Sequence, residues 1–447
     1  MDADATVTRP ELPSAGAATA RAAAWILAYL VLVFAPLVLV ALFGPPPHGG
    51  TAAWLGRAAA LLAFPVLVMQ VVLGSRLKPL HRPFGLDAVM LFHKGMALVA
   101  VSLLVAHPLL IAWGERAWGI LALDSAWQIW LGKGALLLLL LGLLGAALRG
   151  GRVLPYQRWR FAHKSMVLVP ALAFVHAVLV GHDLQSAVPM AMWWVLGAVL
   201  VGAFAWRNLF YPRIGRRRYR VSEVRPASRE AYTLSLAPDD GRPPPVWNPG
   251  QFMFLVLDLP GRGREEHPFT ISAAPGEGGT PAVTIKKSGD FTGGIDAVRT
   301  GDRVRLDAPF GRFSHVHHEA EALVFVTGGI GITPVRSMLR QLQDDGGGPP
   351  SVLIDANRTE ADIAFRRELD QLGDWIRVVH VLSEPGEGWD GPTGLVTADM
   401  IHRYAGQLLP RAQVYLCGPP PMTKSLLAEL RSMGVERSRI HHERFSL

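Results

Sequence analysis

The sequence predicts a multi-domain protein: a six-helix transmembrane bundle, then a small antiparallel β-barrel, then an α/β domain built on a parallel sheet. Three observations carry that prediction. Mean hydropathy is positive, at +0.26, and the long uncharged runs behind it all end near residue 211. Beyond that point the chain is polar, and Gly and Pro divide it into short β-type runs. From about Ala322 strand-like and helix-like segments alternate, the pattern of a parallel sheet with crossover helices. The expected divisions are a disordered cytosolic tail over 1–22, the membrane domain over 23–211, the barrel over 212–313 and the α/β domain over 314–447. Residues 1–22 carry both signs of charge and lack a cleavage site beside a short apolar core, so they read as a tail.

A helix needs about 20 apolar residues to cross the hydrocarbon core. Six segments satisfy this: 23–43, 52–74, 87–113, 130–148, 160–181 and 188–210. Lys and Arg cluster in alternate connections. Arg76, Lys78 and Arg82 lie between spans two and three, and Arg149, Arg152, Arg158 and Arg160 between spans four and five. Arg207, Arg213, Arg216, Arg217 and Arg218 follow span six, whereas the opposite loops carry only Arg116. Both termini and the polar half are therefore expected on the cytoplasmic side. The net charge of +8 follows from this asymmetry and calls for no nucleic acid; the partner the spans require is membrane lipid.

Span three carries His93 and His107, and span five carries His163 and His176. At about 1.5 Å rise per residue, each pair is separated by roughly 20 Å along its helix. Both spans run the same way, so His93 and His163 share an inner level, and His107 and His176 an outer one. One histidine from each of two helices, at each of two levels, is the arrangement that bis-imidazole ligation of two b-type haems requires. A single intramembrane histidine is explained by a hydrogen bond to its neighbour. Four at matched depths point to ligands, because polar groups in lipid are costly. Cys417 is the single cysteine, which excludes an internal disulfide and a four-thiolate iron–sulfur cluster.

His93-Lys94-Gly95-Met96 is echoed by His163-Lys164-Ser165-Met166. Lys94 and Lys164 are open to pairing with inner-haem propionates or to snorkelling toward headgroups. Arg57 and Lys133, at the outer ends of spans two and four, break the charge asymmetry. Arg57 is open to neutralising an outer propionate, attracting an anionic acceptor, or snorkelling. His182 reads as interfacial.

In the polar half the β-type runs are YRVSEV, AYTLSLA, GQFMFLVLDL, PFTISAA, AVTIKKS and DRVRLDAPF, the set of a small barrel. ALVFVTGG then enters a Gly-rich turn that opens the helix GITPVRSMLRQLQ; SVLIDAN, a helix over 361–372, IRVVHVLS, AQVYLCG and the helix MTKSLLAELRSMG follow. A Gly-rich turn at the carboxyl end of a strand, opening a helix, presents backbone N–H groups to a phosphate.

HPFTISAAP (267–275), VTIKKSGDFTGG (283–294), TGGIGITP (327–334) and YLCGPPPM (415–422) resemble, in sequence and order, the ferredoxin–NADP reductase superfamily. Joined to six spans with the four-histidine pattern, they resemble the NADPH oxidase and ferric reductase family. The resemblance implies FAD, two b-type haems and NAD(P)H as cofactors. It places the flavin motif at His267, Pro268, Phe269 and Thr270, with the aromatic on the isoalloxazine and the threonine near N5. The FAD pyrophosphate falls to Gly289–Gly294, including Thr292 and Gly293, with Lys286 as charge partner. The dinucleotide loop falls to Gly328, Gly329, Gly331, Thr333 and Pro334, and the nicotinamide side to Cys417, Gly418 and Pro419. Phe445 matches the aromatic that covers the flavin, although Ser446 and Leu447 follow it here. The resemblance thus makes Cys417, Phe445 and Thr270 the catalytic candidates, and His93, His107, His163 and His176 the iron ligands. Packing alone also accounts for Phe445 and Cys417. Arg358 is open to binding the 2′-phosphate of NADPH, capping the nearby helix or pairing with Glu360.

The expected activity is NAD(P)H-dependent flavohaem oxidoreduction, moving electrons from cytosolic NAD(P)H through FAD and two haems to a small-molecule acceptor at the outer face. Ferric chelates, oxygen and quinones all fit. Ile111 stands where the oxidase branch carries a further histidine, which favours a general reductase; Arg57 points the other way. A haem-free membrane-anchored flavin reductase serving a partner protein is the alternative. A homo-oligomer is left open.

Overall fold

The computed structural model describes residues 15–46, 49–150, 156–261 and 263–443. The chain divides into two compact units, with the boundary between Ile214 and Gly215.

The membrane unit contains α1 (Ala15–Phe43), α2 (Thr51–Leu73), α3 (Lys78–Phe84), α4 (Leu86–Gly114), α5 (Trp127–Gly150), α6 (Tyr156–Lys164), α7 (Leu168–Val180) and α8 (Ala187–Ala205), the last continued by π-helical turns over Trp206–Gly215. Six helical stretches, with α6 and α7 counted together, are long and apolar enough to cross a membrane. Leu91, Leu98, Val105 and Leu109 lie exposed along α4, the side chains a hydrocarbon solvent would cover. α2 is the most buried helix of the bundle. Its small residues let backbones meet: a Cβ on Gly114 of α4 would stand 2.3 Å from the Ala53 nitrogen of α2. α4 packs chiefly on α2, and α7 chiefly on α5.

Two expectations change here. α1 begins at Ala15, inside the stretch read as a tail, while residues 1–14 lie outside the described residues. Span five is not one α-helix, because Ser165–Val167 form a tighter 3₁₀ turn between α6 and α7. Pro170 supplies the reason: it has no N–H, and its ring crowds the carbonyl four residues back, at Met166.

The C-terminal unit begins with an antiparallel sheet of strands β1 (Arg217–Pro226), β2 (Ala231–Pro238), β3 (Phe252–Leu259), β4 (Gly263–Thr270), β5 (Ala282–Lys286) and β6 (Arg303–Phe310). Their order is β4-β3-β6-β1-β2-β5, and a bridge between Ile271 and Val283 joins the two edges. Tyr219, Leu234, Met253, Leu255 and Ile271 are fully enclosed in its core. β4 starts earlier than PFTISAA suggests. Its first half, Gly263–His267, is polar because it pairs with β3 on one side only and leaves the other edge to water. The one-turn helix α9 (Gly289–Thr292) follows β5.

The second sheet is parallel, of order β11-β10-β7-β8-β9, with β7 (Ala322–Gly328), β8 (Ser351–Asn357), β9 (Ile376–Leu382), β10 (Ala412–Cys417) and β11 (Ile440–Glu443). α10 (Ile332–Asp344), α12 (Ala398–Ala405) and α13 (Pro420–Ser432) accompany it. The helix expected over 361–372 shrinks to α11 (Arg366–Leu369), because Phe365 takes a left-handed conformation with φ +60°. α12 and β11 were not among the expected elements.

Candidate functional site

In the membrane unit, the His93 and His163 rings lie with centres 6.1 Å apart, at 73° to each other. A metal held between two imidazoles by bonds of about 2 Å puts the ring centres about 6 Å apart. Trp159 stacks on His163 at 5.0 Å, restricting how that ring can turn. The buried Nδ1 of His93 has no hydrogen-bond partner among the described residues.

At the second level His107 Nδ1 is 2.9 Å from the carbonyl of Gly56, and His176 Nδ1 is 2.9 Å from the carbonyl of Gln128. A ring nitrogen facing a carbonyl carries the proton, which leaves Nε2 with its lone pair free for a metal. Gly132 makes room for the second ring. A Cβ there would meet Cε1, Nε2 and Cδ2 of His176 at 3.0, 3.0 and 3.2 Å. Near-equal distances put that position over the ring face, clear of the in-plane lone pair of Nε2. Among the described residues no cluster of three or more His, Cys, Asp or Glu could hold a bare metal ion. Each level offers two nitrogens, the donor set of a metal that brings its remaining donors with it, as haem iron does.

In the barrel, Thr270 ends β4, and its buried hydroxyl has no partner among the described residues. An orphaned hydroxyl inside the protein asks for a ligand acceptor or donor. Phe269 is half-buried against the barrel core. His267 stacks on Phe291 of α9 at 4.5 Å, and its Nε2 is 2.7 Å from Glu265. This stack ties the flavin motif to the segment 289–294. Gly289 has φ +64° with open space beside it, and Thr292 bonds back to Ser288 across the turn. Lys286 lies 3.7 Å from Glu230, an engagement the sequence did not suggest.

In the parallel sheet, the turns after β7 and β10 lie against each other. A Cβ on Gly331 would stand 2.3 Å from the Cys417 carbonyl oxygen, one on Gly418 3.1 Å from Gly328 N, and one on Gly328 2.8 Å from Pro419. Three of these glycines are thus required by close approach, whereas Gly329 is required by its φ of +54° and faces open space. Thr333 closes the first turn by donating to the Ile330 carbonyl at 3.0 Å, and Pro334 is buried in the first turn of α10. Cys417 is fully enclosed; burial, and then the charge of Glu443, push its thiol well up, so it is a neutral thiol at physiological pH. Arg358 faces Glu384 at 3.6 Å, while Glu360, one of the partners the sequence left open to it, pairs with Arg366. Phe445 lies outside the described residues.

Two groupings escaped the sequence reading. Arg336 of α10 is buried and bidentate to Glu277 at 2.6 and 2.8 Å, with Glu368 at 2.8 Å and the Ser272 carbonyl at 2.8 Å. With Ser337 donating to the Ala273 carbonyl at 2.8 Å, it fastens the barrel to the α/β domain. Across the parallel sheet, Cys417, Thr327, Asp355 and His380 stand side by side. Thr327 donates to Asp355 at 2.7 Å, Asn357 donates to the same carboxylate at 2.8 Å, and His380 lies between Asp355 and Asp370. A lone Asp in the apolar run SVLIDAN was the available signal.

Residues 59–175 match the family described as the ferric reductase like transmembrane component, and residues 325–427 match the oxidoreductase NAD-binding domain. The reductase component of propane 2-monooxygenase from Mycolicibacterium goodii is 31% identical over 244 residues, 51% of this chain and 67% of that protein. The chain belongs to the ferric reductase-like proteins fused to a ferredoxin-reductase-type module. Its N-terminal unit is an integral membrane domain, and its C-terminal unit contains an oxidoreductase NAD-binding domain. Stachydrine N-demethylase reductase subunit Stc4 of Rhizobium meliloti (strain 1021) is 33% identical over 207 residues, 44% of this chain and 58% of that protein. The fused reductase thus spans less than two thirds of the first curated relatives it matches. The FAD/NAD-binding domain of nitric oxide dioxygenase from Vibrio cholerae aligns with 51% of this chain and 97% of its own, at 24% identity and a TM-score of 0.46.

Proposed function

We propose that the fused reductase moves electrons across the membrane, from cytosolic NAD(P)H to a small-molecule acceptor at the outer face, with one FAD and two b-type haems as carriers. The observation that supports this most is the His93–His163 pair, whose ring separation of 6.1 Å suits one metal held between two imidazoles. When bound, FAD exchanges a two-electron hydride for single electrons, and haem iron takes one electron at a time.

The chain's own groups do the rest. Two imidazoles at each level would hold a haem iron with no position left for substrate, which suits electron transfer over substrate binding. The carbonyls of Gly56 and Gln128 hold the protons of His107 and His176 on Nδ1. Thr270 offers its unpartnered hydroxyl, and Gly289–Gly294 the backbone, to FAD. Gly328, Gly329, Gly331 and Gly418 keep side chains out of the dinucleotide cleft, and Thr333 and Pro334 shape the α10 terminus. Cys417 contributes a neutral thiol at the nicotinamide side, with Gly418 and Pro419. Arg358 and Lys286 would exchange Glu384 and Glu230 for cofactor phosphates. Phe445 would cover the flavin. The orientation follows the Lys/Arg asymmetry, with both termini cytoplasmic, and ferric chelates lead the candidate acceptors over oxygen and quinones.

The two relatives above are a reductase subunit and a reductase component. They favour, as a second reading, a haem-free anchored flavin reductase that hands electrons to a partner protein. An anaerobic absorbance titration of the purified protein with NADPH and with NADH separates the two. The expected course is flavin bleaching followed by two reduced b-type haem bands, with the faster nucleotide naming the donor. In proteoliposomes His107→Leu should abolish reduction of an impermeant ferric chelate while leaving flavin bleaching intact. Flavin bleaching with no haem band would hand the case to the anchor.

A further inference from the structure

The membrane unit repeats a second motif besides its histidines. Trp54-Leu55-Gly56-Arg57 in α2 is matched by Trp130-Leu131-Gly132-Lys133 in α5. The match continues through Ala59 and Ala135, Leu61 and Leu137, and Leu62 and Leu138. Each motif helix is the main packing partner of a histidine helix, α2 of α4 and α5 of α7. The order is the same twice over: Trp-Leu-Gly-cation first, then His-Lys-x-Met, then the outer histidine. The centre of the bundle is therefore a two-span unit used twice.

What the motif does is visible at the His107/His176 level. In the first copy the Gly56 carbonyl receives His107 Nδ1, and Arg57 is the next residue. Arg57 is nine-tenths buried; its Nη1 bonds Glu115 at 3.1 Å, and its Nε lies 3.6 Å from Asp183. Glu115 caps α4, the helix of His107, and Asp183 sits in the turn that follows α7, the helix of His176. One cation thus ties α2 to the ends of both histidine helices. In the second copy Gly132 underlies the His176 ring, and the Gln128 carbonyl one turn earlier receives its Nδ1. Lys133 reaches back to the Ala122 carbonyl at 2.5 Å and the Ser125 hydroxyl at 2.7 Å, and lies 4.8 Å from the Trp130 ring centre. It pins the first turn of α5, which includes Gln128, to the loop before it.

We propose that Arg57 and Lys133 are paired positioning residues, each clamping the helix end whose backbone carbonyl sets the orientation of one outer histidine. The proposal rests on the haem reading. Its physical basis is that a histidine's grip on iron depends on the hydrogen bond made by its other nitrogen. A carbonyl on a frayed helix end cannot hold that bond in one direction.

The test uses full-length, haem-loaded protein in detergent, with low-temperature electron paramagnetic resonance and a redox titration followed by absorbance. His107→Leu first assigns which low-spin signal belongs to the outer level. Lys133→Gln and Arg57→Lys are then expected to shift the g-values and midpoint of that signal alone, leaving the inner one at its wild-type position. Arg57→Lys keeps a cation against Glu115 and Asp183, so it guards against loss of folding. Lys133→Arg, which keeps the charge with a different reach, should restore the midpoint more fully than the g-values. Unchanged g-values in every variant, with only the midpoint following charge, would overturn the proposal and leave simple electrostatics. A shift of the inner signal instead would overturn it equally. Wild-type protein with no low-spin haem signal would sink the haem reading, a result distinct from two normal signals that ignore the substitutions.

Discussion

The two units of the fused reductase build their sites from opposite materials. In the membrane unit every candidate ligand is a side chain, projected from a helix at a chosen level. In the C-terminal unit the dinucleotide cleft is mainly backbone, shaped by Gly328, Gly331 and Gly418 where two strand ends meet. The difference has one cause. A helix in lipid must spend its N–H and C=O groups on itself, so only side chains remain for a cofactor. A strand that turns into a helix leaves several N–H groups unspent at the turn, and these suit a phosphate. Where the membrane unit does use backbone, through Gly56 and Gln128, it uses a carbonyl near a helix start as a second acceptor for a histidine.

That contrast can be broken by substitution. Gly331→Ala should have the largest effect, because its Cβ would stand 2.3 Å from a backbone oxygen that cannot step aside. Overpacking of this kind costs about 1–3 kcal/mol. Flavin bleaching at limiting NAD(P)H should slow about 5- to 150-fold, a loss stopped-flow absorbance would read. The same change at Gly329 meets open space and should cost only the conformational strain of φ +54°, about 1 kcal/mol. Equal losses at the two glycines would contradict a cleft shaped by backbone contact.

Arg336→Leu comes next. It leaves Glu277 and Glu368 facing each other at the barrel-to-sheet junction without their cation, a loss of about 2 kcal/mol for charge-assisted hydrogen bonds to half-buried carboxylates. Limited proteolysis should then cut the C-terminal unit between its two sheets, while the membrane unit stays intact. A single unchanged melting transition would mean that the junction is held by something else.

The smallest effect is a pH dependence. Burial disfavours a charged His380, but Asp355 and then Asp370 outweigh it, so its proton is held above the ordinary value of 6.5. A group whose folded pKa is raised adds stability that is complete below 6.5 and fades as pH climbs through the folded value. His380→Gln should therefore cost about 1 kcal/mol at pH 6 and less at pH 9, read from thermal melts at the two pH values. A cost that grows with pH would reverse the assignment.

Much of this protein was legible in its sequence because the signals are local and periodic. Six apolar runs of bilayer length, strands such as SVLIDAN and IRVVHVLS, and four histidines on two spans need no tertiary information. Span five shows the limit: Pro170 was visible, but that it would tighten the turn at Ser165–Val167 depended on how the chain relaxed around Met166. The helix expected over 361–372 failed for a similar reason, since a left-handed Phe365 is not written in any period.

Other features were decided only by the tertiary structure, because they join residues far apart in the chain. Sequence left Arg57 open among a propionate, an acceptor and the headgroups; packing set it between Glu115 and Asp183. Likewise, Arg336 reads as an ordinary helix residue until Glu277 and Glu368 converge on it from two other segments. The glycines of TGGIGITP and YLCGPPPM could be recognised as motifs. Why Gly331 has no side chain was settled when β7 and β10 became neighbours and brought the Cys417 carbonyl against it. Periodicity determines which faces are apolar and which levels carry histidines. Only the folded chain decides which distant partner each buried charge, ring or glycine will meet, because that choice depends on space and not on spacing.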